Sequence, residues 1–300
     1  MRPEAGAGRD LADSVLRCPW CRGRLVGTPT RPSCPGCARE ILSPGGVPLL
    51  IRSPDQIARQ IDEARTAGRA RWYEDEQSIQ FTGSYRHHFR KRREYVSTWL
   101  ARFRRERNGR LIGVDLGCGD GEHLSWLSGY VDELYASDYN LVRLRRAAVR
   151  QEATVILADV TDFPAERNAF DVVFFNHVLE HIPDDVKALR EVRRILAPGG
   201  IVVLGTPNEG AAFWRLAYRL QPGSRRLTDH VHFYTAESLR DRCRAAGLTV
   251  RAVDPIGWGV PHWSIDARIR GVRSLDDAFE RIGRRFLPSQ ATSLYAILTK

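Results

Sequence analysis

The stretch Leu111-Ile112-Gly113-Val114-Asp115-Leu116-Gly117-Cys118-Gly119-Asp120-Gly121 decides the fold. Leu111, Ile112, Val114 and Leu116 form a short apolar run of the kind that lies inside a parallel sheet covered on both faces. Asp115 falls within the run, and Gly117, Gly119 and Gly121 then alternate with Cys118 and Asp120. Glycine takes positive φ without strain and lets a ligand reach backbone N–H groups. Residues 122–128 can begin a helix, whose amino end favours an anionic group. Strand, glycine turn and helix together predict a nucleotide-type site. The spacing is not the G-x-G-x-x-G of dinucleotide enzymes, because the third glycine comes one residue early.

Downstream, strand and helix signals alternate. Residues 133–138, 154–159, 170–175 and 201–206 read as strands, the first two ending in Asp138 and Asp159. A helix over 141–150 is capped by Asn140. Another over 185–196 is capped by Asp184 and stopped by Pro198, Gly199 and Gly200. Such alternation predicts an α/β domain with a parallel sheet. The carboxyl ends of neighbouring strands line one crevice, so Asp115, Asp138 and Asp159 are expected together. Asp138, about 20 residues past the glycine turn, suits two ribose hydroxyls. Asp159 suits an exocyclic amine, and Asp115 with the turn suits an ammonium and a carboxylate. Beyond Pro207 the pattern loosens. Residues 211–220 are amphipathic, 235–246 form a helix closed by Gly247, and 248–253 and 294–299 read as strands with a helical stretch near 275–286 between them.

Three segments in order resemble class I S-adenosylmethionine-dependent methyltransferases of type 11/23. Val114 to Gly121 resembles their first motif, Phe170 to Asp184 (FDVVFFNHVLEHIPD) their fourth, and Arg194 to Leu204 (RILAPGGIVVL) the segment after it. The similarity spans roughly residues 110–253. It implies a Rossmann-like, seven-stranded, mostly parallel sheet whose final strand, at 294–299, runs antiparallel. By the same resemblance Asp115, Gly117, Cys118, Gly119 and Gly121 line the methionine part of S-adenosylmethionine. Asp138 and Tyr139 meet the ribose, Asp159 and Val160 the adenine, and Asn176 and His177 the sulfonium. His177 and His181 are the candidate bases, with His230 and His232 next. The turn at Leu179 to Asp184 is similar to that of quinone-biosynthesis O-methyltransferases, whose acids and histidine there hold a divalent cation. His177 stands where the first of those acids falls. The run His177 to His181 also spells the H-x-x-E-H of one class of zinc protease, but it lies where the methyltransferase turn is expected.

Upstream, Cys18 and Cys21 form one C-x-x-C knuckle and Cys34 and Cys37 a second, with twelve residues between them. Two such knuckles close a tetrahedral thiolate site for structural Zn²⁺ and leave no position for a reacting water. So small a segment buries little apolar surface, so the metal would supply its stability. Residues 40–42 and 46–51 read as short strands after it. The layout resembles the Trm112-like zinc ribbons fused to, or partnered with, methyltransferases. The expected organisation is a tail at 1–13, a ribbon at 14–52, a linker at 53–78 and the methyltransferase domain at 79–300. Cap insertions are expected at 207–234 and 254–290. Within 79–107, Phe89, Val96, Trp99, Leu100 and Phe103 recur at helical spacing beside Arg86, Arg90, Lys91, Arg92 and Arg93.

The formal charge of +10 is compatible with RNA, an anionic lipid or an anionic small substrate. No run of about 18 apolar residues suggests a membrane span, and the first residues lack a secretory core, so a cytoplasmic setting is expected. Paired cysteines fit a metal site in a reducing compartment. Three readings of the function stay open. The first is methylation, on oxygen, of a small molecule, glycan or lipid-linked intermediate, for which the cap insertions suit a discrete acceptor. The second is rRNA base methylation, since a zinc ribbon precedes such a domain in one family of 23S rRNA guanine methyltransferases. The third is a non-catalytic partner that binds the cofactor or a protein.

Overall fold

The computed structural model describes residues 10–53, 83–227 and 230–300. The expected linker at 53–78 and most of the expected tail at 1–13 lie outside them. The helices are α1 (Arg86–Arg105), α2 (Leu124–Leu127), α3 (Leu141–Val149), α4 (Asp185–Ile195), α5 (Ala212–Leu220), α6 (Ala236–Ala245), α7 (Trp263–Arg270) and α8 (Arg273–Phe286). A small antiparallel pair, β1 (Ser33–Cys34) and β2 (Arg39–Glu40), lies near the amino end. The main sheet comprises β3 (Ile112–Leu116), β4 (Glu133–Asp138), β5 (Thr154–Leu157), β6 (Phe170–Asn176), β7 (Leu196–Pro207), β8 (Thr249–Ile256) and β9 (Ser293–Thr299).

Strand order in this seven-stranded sheet is β5-β4-β3-β6-β7-β9-β8. β3, β4 and β5 run parallel, with Asp115 opposite Ala136 and Asp138 opposite Leu157. β9 is antiparallel to both β7 and β8. This is the Rossmann-like order with an inserted antiparallel strand that the resemblance implied. Backbone contacts gather the chain into two compact units. Among the described residues, the first takes 10–53, Gly109–Phe174 and Glu191–Gly200. The second takes 83–108, Phe175–Arg190 and Ile201–Lys300.

In the first unit the core is built where apolar strand residues meet aromatic ones. Phe170 stands edge-on to Tyr135 (5.7 Å between ring centres) and to Phe163 (6.1 Å). Phe174 meets His123 and Trp126 in the same way. Each such fully buried side chain contributes roughly 1.5–3 kcal/mol. Asn140 caps α3, accepting from the N–H groups of Val142 and Arg143. Asp184 accepts from Lys187 N–H at 3.0 Å at the start of α4. Both caps were legible in sequence. The strand expected at 201–206 is longer than expected. β7 begins at Leu196, directly after α4, and the turn residues expected to end the helix lie inside it. Gly199 takes φ 74°, which lets the extended chain leave the helix without a separating loop.

The cysteine segment joins the first unit at the free edge of β5. Leu49 bridges Leu157 in parallel register. Leu157 N–H donates to Pro48 O (2.9 Å), and Leu50 N–H donates to Leu157 O (2.8 Å). The strand expected over 46–51 is therefore one bridge on the main sheet, preceded by a 3-10 turn at Pro44–Gly46. An unpaired edge is a liability for aggregation, and this segment covers it.

Candidate functional site

In the first unit the glycine turn is tied to the end of β4. Gly117 and Cys118 N–H groups donate to Ser137 O at 2.7 and 2.9 Å. Gly119 N–H donates to Asp138 Oδ2 at 2.8 Å, and Asn140 N–H donates to Asp138 Oδ1 at 2.8 Å. Gly117, Gly119 and Gly121 all have positive φ, 78°, 55° and 78°. A Cβ at residue 121 would meet Leu124 Cδ1 at 2.9 Å and Ala147 Cβ at 3.1 Å, so only glycine lets the turn close onto α3. Asp120 beside it is held by Arg146 at 2.7 Å. Asp159 accepts from Thr161 N–H (2.7 Å) and caps the turn Val160–Asp162. Thus Asp115 lies near the end of β3, Asp138 ends β4 and Asp159 follows β5, three neighbouring strands of one unit, with the glycine turn bonded to Asp138.

Asp115 is fully enclosed, and its Oδ2 has no hydrogen-bond partner among the described residues. Burial first, then the charge of Asp138, pushes its carboxyl well above the ordinary value. Burial also raises Asp138, opposed by the Asn140 and Gly119 N–H donors. Cys118 is buried and its thiol is raised by burial, so it is a packing residue of the turn rather than a thiolate. A buried carboxylate oxygen without a donor among the described residues, beside a turn whose glycines put no side chain over the backbone, fits a ligand that carries an ammonium group. That donor pattern fits S-adenosylmethionine.

The second unit holds the other group. β6 ends at Asn176, whose Oδ1 accepts from Tyr295 O–H at 2.8 Å. A side chain at Gly205 would collide with Asn176 Oδ1 and with Tyr295, so glycine there permits this bond. His177 follows with φ 56°, an unusual conformation for a residue with a side chain, and its N–H donates to Gly205 O at 2.8 Å. Backbone strain of this kind gathers where a side chain must be aimed. His177 Nδ1 lies 3.5 Å from Glu180 Oε1, and His181 Nε2 lies 3.9 Å from the same atom. Glu180 is buried. Burial opposes its ionisation, but bonding to His177 and the nearness of both histidines bring its value below the ordinary one. His177 is lowered, by burial first and then by Arg92, with Glu180 opposing. Its imidazole is therefore neutral near pH 7 with an acceptor nitrogen, Nε2, to which no described residue hydrogen-bonds.

Around this pair stand groups that sequence reading reached only in part. His230 Nδ1 meets Glu209 Oε2 at 2.7 Å, and Tyr218 O–H donates to Glu209 Oε1 at 2.6 Å. The rings of His230 and His181 meet edge-on at 4.7 Å. Val231 and His232 N–H groups donate to Glu180 O, which brings the segment after residue 229 against the turn. His232 Nε2 turns to the carbonyls of Ile182 and Pro183, a structural role. Glu209 has no motif to announce it, since its partner lies 21 residues away. His88 on α1 is buried, its value pushed well down by burial and by Arg92. Glu180, His181 and His230 offer ligand atoms within 4.8 Å of one another, a set suited to a divalent cation. His177 is not one of them, so the protease-like pair of histidines does not form a ligand set here.

The four cysteines Cys18, Cys21, Cys34 and Cys37 place their sulfurs within 4.8 Å of one another. Cys18 and Cys37 are 3.7 Å apart and Cys21 and Cys34 3.4 Å. Four thiolates about 2.3 Å from one tetrahedral ion stand about 3.8 Å apart, so this donor set fits such an ion. Arg22 N–H donates to Cys18 O (2.9 Å) and Gly23 N–H to Cys21 Sγ (3.4 Å), the tight turn of a metal knuckle.

The fold and the glycine turn define a nucleotide-type class of α/β protein, and comparison with known proteins makes it specific. Residues 85–253 match the family described as Methyltransferase domain, and the chain belongs to that family. Its class is that of S-adenosylmethionine-dependent methyltransferases. The chain is 35% identical over 155 residues to an uncharacterized 37.1 kDa protein in transposon TN4556 of Streptomyces fradiae, covering 49% of this chain and 43% of that one. It is 28% identical to the ubiquinone biosynthesis O-methyltransferase of Cereibacter sphaeroides, covering 52% of this chain and 68% of that protein. The chain thus spans less than half of the first relative's length and about two thirds of the second's. Its fold is similar to a chain in the complex between the Haloferax volcanii Trm112 methyltransferase activator and a methyltransferase, with TM-score 0.55 and 17% identity, over 79% of this chain and 96% of that one. No helix of the described residues is long and apolar enough to cross a membrane.

Proposed function

We propose that this protein transfers the methyl group of S-adenosylmethionine to a hydroxyl oxygen of a small molecule, glycan or lipid-linked acceptor. The observation that carries the reading is His177 Nε2, which bonds to no described residue, on an imidazole whose Nδ1 lies 3.5 Å from the buried Glu180. Bound at the glycine turn, the cofactor supplies an electrophilic methyl on a sulfonium. Asp138 meets the ribose, the glycine turn lines the methionine part, Asp115 receives the ammonium, and Asp159 with Val160 takes the adenine. His177 accepts the proton of the acceptor hydroxyl as the new O–CH₃ bond forms, and the S–CH₃ electron pair stays on sulfur. Glu180 stabilises the imidazolium that results, so His177 is catalytic and Glu180 a positioning residue. The rest is alignment and exclusion of water. Where a divalent cation is taken up, Glu180, His181 and His230 hold it. The four cysteines hold structural Zn²⁺. Similarity to ubiquinone biosynthesis O-methyltransferases supports oxygen as the target atom. The test is transfer of labelled methyl to phenolic and sugar hydroxyl acceptors by the full chain. Transfer to none of them, with cofactor bound, would sink the reading.

A second reading, base methylation of RNA, is favoured by one observation. The cysteine segment is joined to the catalytic sheet at Leu157 in a chain whose formal charge is +10, and a basic chain of this kind can meet RNA phosphates. Binding of ribosomal RNA that weakens steeply with salt would support it.

A further inference from the structure

The cap helices of the second unit present an apolar row that none of the described residues covers. On α8, Leu275, Ile282 and Phe286 recur at i, i+7 and i+11 and so share one side of the helix. They are 45%, 57% and 72% exposed. The helix's acids turn the other way. Asp276 is buried against Lys91 Nζ at 2.6 Å, and Asp277 and Glu280 also approach that ammonium, at 3.1 and 3.8 Å. Arg281 and Arg285 stay exposed and flank the apolar row, while Arg284 pairs with Glu280 at 3.1 Å on the side of the acids. α5 repeats the composition. Its exposed residues include Arg215 with Leu216 and Arg219 with Leu220, one helical turn apart, the leucines 42% and 57% exposed. The elements form one piece: Trp214 of α5 meets Trp263 of α7 at 4.5 Å, and Phe213 N–H donates to Gln290, just past α8.

We propose that this face rests on an anionic lipid surface, the aliphatic and phenyl side chains entering the headgroup layer and the arginines meeting lipid phosphates. A helix with an apolar row, arginines alongside it and acids on the opposite face has the composition of an interfacial helix. In a two-fold contact with a second copy, the same arginines would meet one another. Nucleic acid recognition would use the arginines, but leaves no role for four exposed aliphatic side chains and a phenyl ring in rows. The proposal is independent of the acceptor, and none of these residues belongs to the cofactor or histidine groups.

The experiment sediments the full chain with phosphatidylglycerol–phosphatidylcholine vesicles and with phosphatidylcholine vesicles, at low and at high salt. The expected result is at least tenfold tighter binding to the anionic vesicles, weakened by salt. The Ile282→Ser/Phe286→Ser double variant should lose at least tenfold of that binding while keeping its melting temperature and cofactor affinity. Arg281→Gln/Arg285→Gln should lose the preference for anionic vesicles. Equal binding to both vesicle types, no binding to either, or undiminished binding by the double variant would overturn the proposal. So would a concentration-dependent dimer that the double variant abolishes, which assigns the face to a second copy. RNA retention that the arginine variant loses, without vesicle binding, would overturn it in favour of RNA.

Discussion

Asp138 supports the glycine turn and the helix after it with its two carboxylate oxygens, one on Gly119 and one on Asn140. Asp138→Ala is therefore expected to weaken S-adenosylmethionine binding about 10–100-fold by calorimetry, the value of one to two hydrogen bonds to a charged group. Asp115 gives a sharper signature. Its carboxyl is raised in the apo chain, and an arriving ammonium favours the ionised form, so binding should release protons and affinity should fall as pH falls through the raised value. Calorimetry in two buffers of different ionisation heat measures that release, and none would remove Asp115 from the site. His177 is lowered, so turnover should be flat near neutral pH and fall on the acid side, below the ordinary histidine value. Glu180 raises His177, so Glu180→Gln should move that limb to still lower pH as well as reduce kcat. His177→Ala should cost about 10²–10⁴-fold in kcat. The aspartates and histidines were legible because they end strands or sit in a motif. Glu209 was not, because only folding brings it to His230.

At the scale of elements, the cysteine segment is more than a pendant module. Arg22 and Arg52, on either side of the second cysteine knuckle, both grip Asp162, the last residue of the turn that Asp159 caps. Arg22 also donates to Phe163 O at 2.9 Å, and Arg17 pairs with Glu166. A chelator that strips the ion, or Cys34→Ser, is expected to lower the melting temperature and to weaken cofactor binding through this turn. Metal analysis should give one zinc per chain before treatment. Arg22→Ala isolates the link. Both partners are partly exposed and screened, so the pair is worth up to about 1 kcal/mol and the loss of affinity should stay within about fivefold. Unchanged affinity in the stripped protein would separate ribbon from site. Knuckle spacing is local and could be read along the chain. The bridge from Leu49 to Leu157 could not, since a sheet edge accepts any extended segment that reaches it.

Over the whole molecule, the formal charge of +10 asks whether the acceptor is a polyanion. On the O-methylation reading, ribosomal RNA should bind with no more than the shallow salt dependence of a basic surface. A steep slope, equivalent to many released counterions, would favour the RNA reading. The order of apolar runs, glycines, caps and cysteine knuckles determined by itself the α/β class, the seven strands and the three strand-end acids, because each depends on residues a few positions apart. The antiparallel place of the last strand came from family resemblance, and its pairing with β7 and β8 bears this out. Tertiary structure alone decided that Glu180 is buried between two histidines, that Glu209 orients a third, that the cysteine segment closes the edge of β5 and that α8 turns its acids toward Lys91. Those outcomes depend on which surfaces meet across long stretches of chain, where burial and pairing energies, rather than local spacing, choose the partner.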